Sequence, residues 1–172
     1  MEGKLVAHSR TVMTELIMPN DTNPMGNLMG GYLMRWMDIA CAVCAARHCA
    51  SQVATASVDH ISFHEPIRLG DVITLTAEVT RAFNTSVELY VEVSASGITG
   101  MNPRQSNHAY FTFVALDAQS GKPSAVPPVI PITSDEKKRY ESAVRRRELR
   151  LILAGRMKPE DATELKHFFA EK

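Results

Sequence analysis

The stretch Asn23–His48, NPMGNLMGGYLMRWMDIACAVCAARH, decides how the chain is read. A loop carrying Gly26, Gly30 and Gly31 runs into a segment that is almost wholly apolar. From Gly30 onward, a period of 3.6 residues puts Leu33, Trp36, Met37, Ala40, Cys41 and Cys44 on one broad face. The rest of the surface is mostly small, with Gly31, Ala42, Ala45 and Ala46; only Arg35, Asp38, Arg47 and His48 are polar. A helix apolar on nearly every side is expected to be buried. Its small side is expected to lie close to a sheet or to a second copy of itself. Asp38 is then a lone carboxylate inside an apolar helix, and it is the first candidate for chemistry.

Upstream, His8–Met18 (HSRTVMTELIM) mixes β-branched and apolar residues with polar ones and reads as a strand. The run Pro19-Asn20-Asp21-Thr22-Asn23-Pro24 is turn chemistry and closes it. Downstream, strands are expected over Gln52–His60, Val72–Phe83, Ser86–Ser94 and Arg104–Leu116. In the second of these, Ile73, Leu75, Ala77 and Val79 alternate with Thr74, Thr76, Glu78 and Thr80. In the third, Val87, Leu89, Val91 and Val93 alternate with Glu88, Tyr90 and Glu92. Such alternation buries one face and wets the other. Asn84-Thr85 is placed for a tight hairpin, and 98–103 reads as a loop. The proline-rich segment Asp117–Thr133 reads as an extended linker. Ser134-Asp135-Glu136-Lys137 opens a helical region with Ser134 as its cap, and Gly155 ends it. A short helix follows over Pro159–Phe169, with the proline at its first position. The plan is α+β: residues 1–133 form one domain with a sheet around a central helix, and 134–172 a C-terminal helical extension.

Composition narrows the function classes. A hydrophobic fraction of 45% in 172 residues supports a real core. Lysine and arginine balance aspartate and glutamate at 19 each, so overall charge argues for neither nucleic acid nor an anionic membrane. No apolar run reaches the ~18 residues of a membrane span. The start MEGKLVAHSR lacks the apolar core of a secretory signal, which makes the cytoplasm the expected location. Cys41, Cys44 and Cys49 are odd in number and crowded, unlike a disulfide framework. Cys41-x-x-Cys44 lies well inside the helix with no second ligand pair at zinc spacing, and reads as buried small apolar residues. His48, His60, His64 and His108 are scattered and receive no ligand or base role; no metal site is expected.

Many short segments together resemble the hot-dog fold, a curved antiparallel sheet around a long central helix. They most resemble the acyl-CoA thioesterases of the cytosolic long-chain and YciA-like group. The match is carried by Pro19-Asn20-Asp21-Thr22-Asn23, Gly26-Asn27, Gly30-Gly31, Trp36-Met37-Asp38 and Ala46-Arg47-His48. It continues through Thr55-Ala56-Ser57-Val58-Asp59, Ile61-Ser62-Phe63, Pro66-Ile67, Gly70-Asp71, Arg81, Asn84-Thr85-Ser86 and Asp135-Glu136-Lys137-Lys138-Arg139. The chain departs from the pattern at Met29, where many relatives carry histidine or an aromatic residue.

The resemblance implies hydrolysis of acyl-CoA to free fatty acid and CoA, with Asp38 and Asn23 catalytic. It implies no cofactor beyond the coenzyme A of the substrate. It also implies a dimer, and a hexameric trimer of dimers, in which one site takes Asn23 from one chain and Asp38 from another. The residue chemistry is compatible with this. Asp38 can act as general base toward water, or attack directly and form an anhydride. Asn23 can orient the water or the thioester. The first N–H groups of the helix, at Gly30 and Gly31, can face a developing oxyanion. Arg81, Asn84, Thr85 and Ser86 match a family segment bordering the CoA path. The basic runs Lys137-Lys138-Arg139 and Arg145-Arg146-Arg147 read as a solvated helix face, given the interspersed acids. Structural readings stand beside these. Asp38 can pair with Arg35 or cap the helix start, Asn23 can be a turn residue before Pro24, the glycines can serve tight packing, and the hairpin can be only a polar turn. A non-catalytic acyl-CoA sensor on the same fold is the alternative function.

Overall fold

The structure, a computed structural model, describes residues 1–63 and 65–170. It divides into two compact units, 1–130 and 131–172. In the first, the chain order is β1 (Lys4–Leu5), β2 (Thr11–Leu16), α1 (Gly30–Cys49), β3 (Gln52–Phe63), β4 (Val72–Ala82), β5 (Ser86–Ser96), β6 (Arg104–Leu116) and β7 (Val129–Ile130). The second unit holds α2 (Ser134–Leu153) and α3 (Thr163–Ala170).

Five strands form one antiparallel sheet in the order β2-β4-β5-β6-β3. Its inner face follows from the alternation. Ile73, Leu75, Ala77 and Val79 of β4 are buried, as are Val87, Leu89, Val91 and Val93 of β5. Ala109, Phe111, Phe113 and Ala115 of β6 complete that face. Register shifts on β3, β4 and β6 bend these strands, because each bulged residue adds local twist. The curled sheet wraps α1, which touches β2 through β6. Leu33, Trp36, Met37, Ala40, Cys41 and Cys44 of α1 are all buried against it. Truncating a fully buried residue such as Met37 to alanine costs about 2–5 kcal/mol. This is the hot-dog arrangement, with a helical tail in the second unit.

Several boundaries differ from the sequence reading. The first strand of the sheet is shorter than His8–Met18, because 6–8 form a 3-10 turn and Pro19–Asp21 another. The strand expected to end at His60 continues to Phe63. The proline-rich segment is extended but not free of pairing: β7 lies parallel to β1, and Ser124 N–H donates to the Ala115 carbonyl. Thr133, not Ser134, caps α2. Its hydroxyl accepts from the Glu136 N–H while the Glu136 carboxylate accepts from the Thr133 N–H, a closed capping box. Pro159 opens a 3-10 turn, and α3 begins only at Thr163. The Glu148 carboxylate accepts from the N–H groups of Glu164 and Leu165, satisfying the start of that helix.

The largest correction concerns α1, which is not buried all round. Met34, Ile39 and Val43 are 41%, 36% and 38% exposed, and Gly31, Arg35 and Arg47 are exposed beside them. The expected small side is split, since Ala45 faces the sheet while Gly31 faces out. Among the described residues, no helix is long and apolar enough to cross a membrane.

Candidate active site

The loop before α1 is built around Asn23. Its side-chain oxygen accepts from the N–H groups of Met25 (3.0 Å) and Asn27 (3.1 Å). Its backbone N–H donates to the Asn27 carbonyl, and its carbonyl accepts from Gly26. Gly26 takes φ +74°, the left-handed conformation this turn requires. The turn role of Asn23 is thus realised through its oxygen. The amide nitrogen makes no hydrogen bond to the described residues, and two donors remain to be used.

Met29 caps α1 with extended backbone and offers no side-chain acceptor to the first turn. Tyr32 and Leu33 donate their N–H groups to the Met29 carbonyl. The N–H groups of Gly30 and Gly31 have no partner among the described residues. They form an electropositive helix start. A Cβ built on Gly31 would meet nothing within 4 Å, so packing within the chain does not require glycine there. Gly30 lines a cavity of about 420 Å³, with Leu28, Leu33, Pro66, Ile67, Glu65 and Asn107 around it.

Two turns further along, Asp38 is half-buried. Its Oδ1 accepts from Thr55 Oγ1 at 2.8 Å. No ion pair joins it to Arg35 among the described residues, so the expected structural pairing is not what holds it. Thr55 stands on β3, an edge strand, immediately before the register shift between Thr55 and Ser57. Bulges of this kind aim side chains at sites. Gly31 and Asp38 are seven residues apart, so they share one helix face, the exposed one. Along the axis they are separated by about 10 Å. No single carbonyl group can touch both within one chain.

Arg81, Asn84, Thr85 and Ser86 sit at the β4–β5 hairpin, closed by Phe83 N–H on the Ser86 carbonyl. The carbonyls of Asn84 and Thr85 accept from Val126 and Ala115. The pairing places this hairpin at the opposite end of the sheet from Gly30: Ser86 is level with Val114, and Val114 with Ala54. It therefore lies at the level of Thr55, and none of its residues lines the cavity beside Gly30. Within the second unit, Arg146 donates to the Ser142 hydroxyl and the Arg139 carbonyl, and Arg145 lies over the Phe168 ring.

Sequence reasoning missed the cavity wall and Thr55. Thr55 belongs to a segment that carries the resemblance, yet only its contact with Asp38 gives it a task. Asn107, with Ser106, puts polar groups at the inner end of a strand, a pattern open to reading. The buried groups of α1 are accounted for by packing. Burial raises the Cys41 thiol well above its ordinary value, and pushes Cys44 and Cys49 up to about 11. His48 is fully buried, with Nε2 at 2.9 Å from the Pro127 carbonyl. Burial lowers its pKa, partly offset by that carbonyl. His64 lies outside the described residues.

Residues 25–101 match the Thioesterase superfamily model. The mouse cytosolic acyl coenzyme A thioester hydrolase is 40% identical over 142 residues, covering 81% of this chain and 37% of that protein. The chain thus spans little more than a third of that curated relative's length. A Staphylococcus aureus acyl-CoA hydrolase, solved with butyryl coenzyme A and coenzyme A, superposes with a TM-score of 0.82 at 35% identity. The match covers 88% of this chain and 94% of that one. The chain belongs to the thioesterase superfamily. Within it, a hexameric acyl-CoA thioesterase is similar at a TM-score of 0.85 and 37% identity, covering 90% and 98% of the two chains. The S. aureus enzyme has also been solved with an asparagine, an aspartate or a threonine replaced by alanine. Those three residues follow one another in the order and at the separations of Asn23, Asp38 and Thr55.

Proposed function

We propose that the chain hydrolyses acyl-CoA thioesters to a free fatty acid and CoA, at sites shared between two copies. The observation that carries this is the exposed face of α1. Unpartnered N–H groups at Gly30 and Gly31 share that face with Asp38, about 10 Å away along the axis. A two-fold pairing of α1 with its partner's α1, running antiparallel, brings the helix start of one copy opposite Asp38 of the other. It also covers Met34, Ile39 and Val43. The likeness to acyl-CoA thioester hydrolases and to a hexameric thioesterase supports the reading, as do the alanine variants made at corresponding separations. The dimers assemble further into a trimer of dimers. Residues 1–133 carry the reaction and 134–172 form a helical extension.

In this reading the thioester carbonyl oxygen lies against the Gly30 and Gly31 N–H groups, which stabilise the charge as it develops; one such donor is worth about 3–4 kcal/mol in the transition state. Asn23 directs its amide N–H groups toward the water or the thioester. Thr55 holds one oxygen of Asp38, leaving the other for chemistry. As general base, that oxygen takes a proton from water as the water oxygen attacks the carbonyl carbon. The tetrahedral intermediate then expels CoA as thiolate, which takes up the proton. As nucleophile, Asp38 attacks the carbonyl carbon and expels CoA as thiolate to form an anhydride; water then opens it, releasing the fatty acid and restoring the carboxylate. Arg81, Asn84, Thr85 and Ser86 border the CoA. Thiol release from a panel of acyl-CoAs of increasing length tests the reading. Hydrolysis by the wild type and none by Asp38→Asn is expected. Near-normal turnover by that variant overturns the role of Asp38. Tight acyl-CoA binding without thiol release replaces hydrolysis with sensing.

A further inference from the structure

The cavity beside Gly30 owes its wall to a charged clamp on the far side of the same loop. Pro66 and Ile67 line the cavity; Ile67 is buried in the core, while Leu69 beside it is 50% exposed. Polar bonds hold the segment as well. Arg104, at the start of β6, donates Nη2 to Asp71 Oδ2 at 2.6 Å and to the Pro66 carbonyl at 3.3 Å. Its Nε lies 3.4 Å from Glu65 Oε2. Asp71 Oδ2 also accepts the Arg68 N–H at 2.8 Å, closing the loop on itself. The clamped loop then bonds backbone to backbone with the helix-entry loop. Leu28 N–H donates to the Ile67 carbonyl, Leu69 N–H to Gly26, and Gly70 N–H to Ile17. The guanidinium thus braces the cavity wall, and backbone bonds link that wall to the segment that carries Asn23 and leads into Gly30. The Asp71 and Arg104 side chains are 15% and 33% exposed, so the pair is partly screened by water.

We propose that Arg104 and Asp71 are positioning residues for the acyl chain: their ion pair holds the Pro66–Ile67 wall, and with it the apolar grip of the cavity on long acyl groups. This rests on the reading of the site as one that binds acyl thioesters. Leu28, Leu33, Pro66 and Ile67 make the cavity lining mostly apolar, with Glu65 and Asn107 its polar side chains, which suits methylene groups better than the nucleotide of CoA. Loosening the clamp lets water reach that lining, so the loss grows with chain length and spares CoA itself.

The test is calorimetric binding of non-hydrolysable thioether analogues of acyl-CoA, from acetyl to dodecyl, beside CoA alone. Full-length wild type, Arg104→Gln, Arg104→Lys and Asp71→Asn are compared. Full burial raises affinity about fourfold per methylene, the upper bound for the wild type. Over methylenes that enter the cavity, the wild-type gradient is expected to be at least twofold each. In Arg104→Gln and Asp71→Asn the logarithm of that gradient falls by half or more, with CoA affinity within twofold of wild type. Arg104→Lys recovers part of the gradient, because the ion pair survives but the bond to Pro66 is lost. The Arg104→Gln/Asp71→Asn double variant is no worse than either single one, as expected of one coupled unit. Melting curves separate the outcomes further: if a variant fails to fold, the lysine variant carries the comparison. A uniform loss for CoA and all analogues overturns the proposal, since that is the signature of general destabilisation. So does a wild type with no chain-length gradient. Thiol release by the wild type is read separately, so failure of hydrolysis and failure of the clamp are distinguishable.

Discussion

Replacing Thr55 by alanine removes one hydrogen bond to Asp38 and little else. The bond is 2.8 Å long, and its acceptor is a carboxylate. Hydrogen bonds to charged groups contribute about 1.5–3 kcal/mol net, and this one is partly reached by water, which favours the lower end. A loss of about 1.5 kcal/mol at the transition state is roughly tenfold in rate. The drop is expected in kcat, with KM nearly unchanged, because Thr55 orients the carboxylate and is not assigned to the substrate. Thr55→Ser keeps the hydroxyl and is expected to stay within about threefold of wild type. Thr55 is exposed on an edge strand, so the melting midpoint of either variant shifts little. The assay is thiol release under saturating acyl-CoA, with CD melts alongside. An alanine variant with wild-type kcat, or a serine variant as slow as alanine, refutes the claim that this hydroxyl holds the base.

Two further outcomes follow from the buried groups of α1. His48 has its pKa lowered from the ordinary 6.5, chiefly by burial. Its stabilisation is complete above the unfolded value and is lost as pH falls through the folded one, since only the unfolded chain takes up the proton in between. Urea midpoints measured from pH 7.5 down to pH 5 should therefore fall more for wild type than for His48→Gln; parallel profiles would remove the histidine from the acid response. The thiols of Cys44 and Cys49, at about 11, and of Cys41, raised well above its ordinary value, are almost wholly protonated at pH 8. Iodoacetamide is expected to label them slowly in the folded protein and readily in urea. Rapid labelling of the native protein at Cys44 would contradict its place in the core.

Most of the fold was legible because two periods dominate the sequence. Alternation over Val72–Ala82 and Ser86–Ser96 specified the inner face of the sheet, although Thr80, Glu88 and Tyr90 of the expected wet face are buried as well; the stripe from Leu33 to Cys44 specified the face of α1 that meets it. What the sequence left open has physical causes. The β1–β7 pair is two residues long on each side, too short for any period to register. An apolar surface looks alike whether the chain's own sheet covers it or it is left for another copy, which is why Met34, Ile39 and Val43 read as buried. Thr133 and Ser134 are both good caps; Glu136, three residues after Thr133, makes the choice. At the candidate site, Asp38, Asn23, Gly30 and Gly31 stood out as residue types. The bond from Thr55 and the cavity wall did not, because they depend on contacts between segments far apart in the chain.

If a second copy completes the thioester-hydrolysing site, two inactive proteins, Asn23→Ala and Asp38→Asn, restore activity when mixed. After unfolding and co-refolding at equal amounts, about half of the dimers carry one chain of each kind, and each of those has one intact site. Thiol release from acyl-CoA is expected to recover to about a quarter of the wild-type level, while neither variant refolded alone exceeds background. No recovery in mixtures shown to contain hetero-dimers would contradict a shared site.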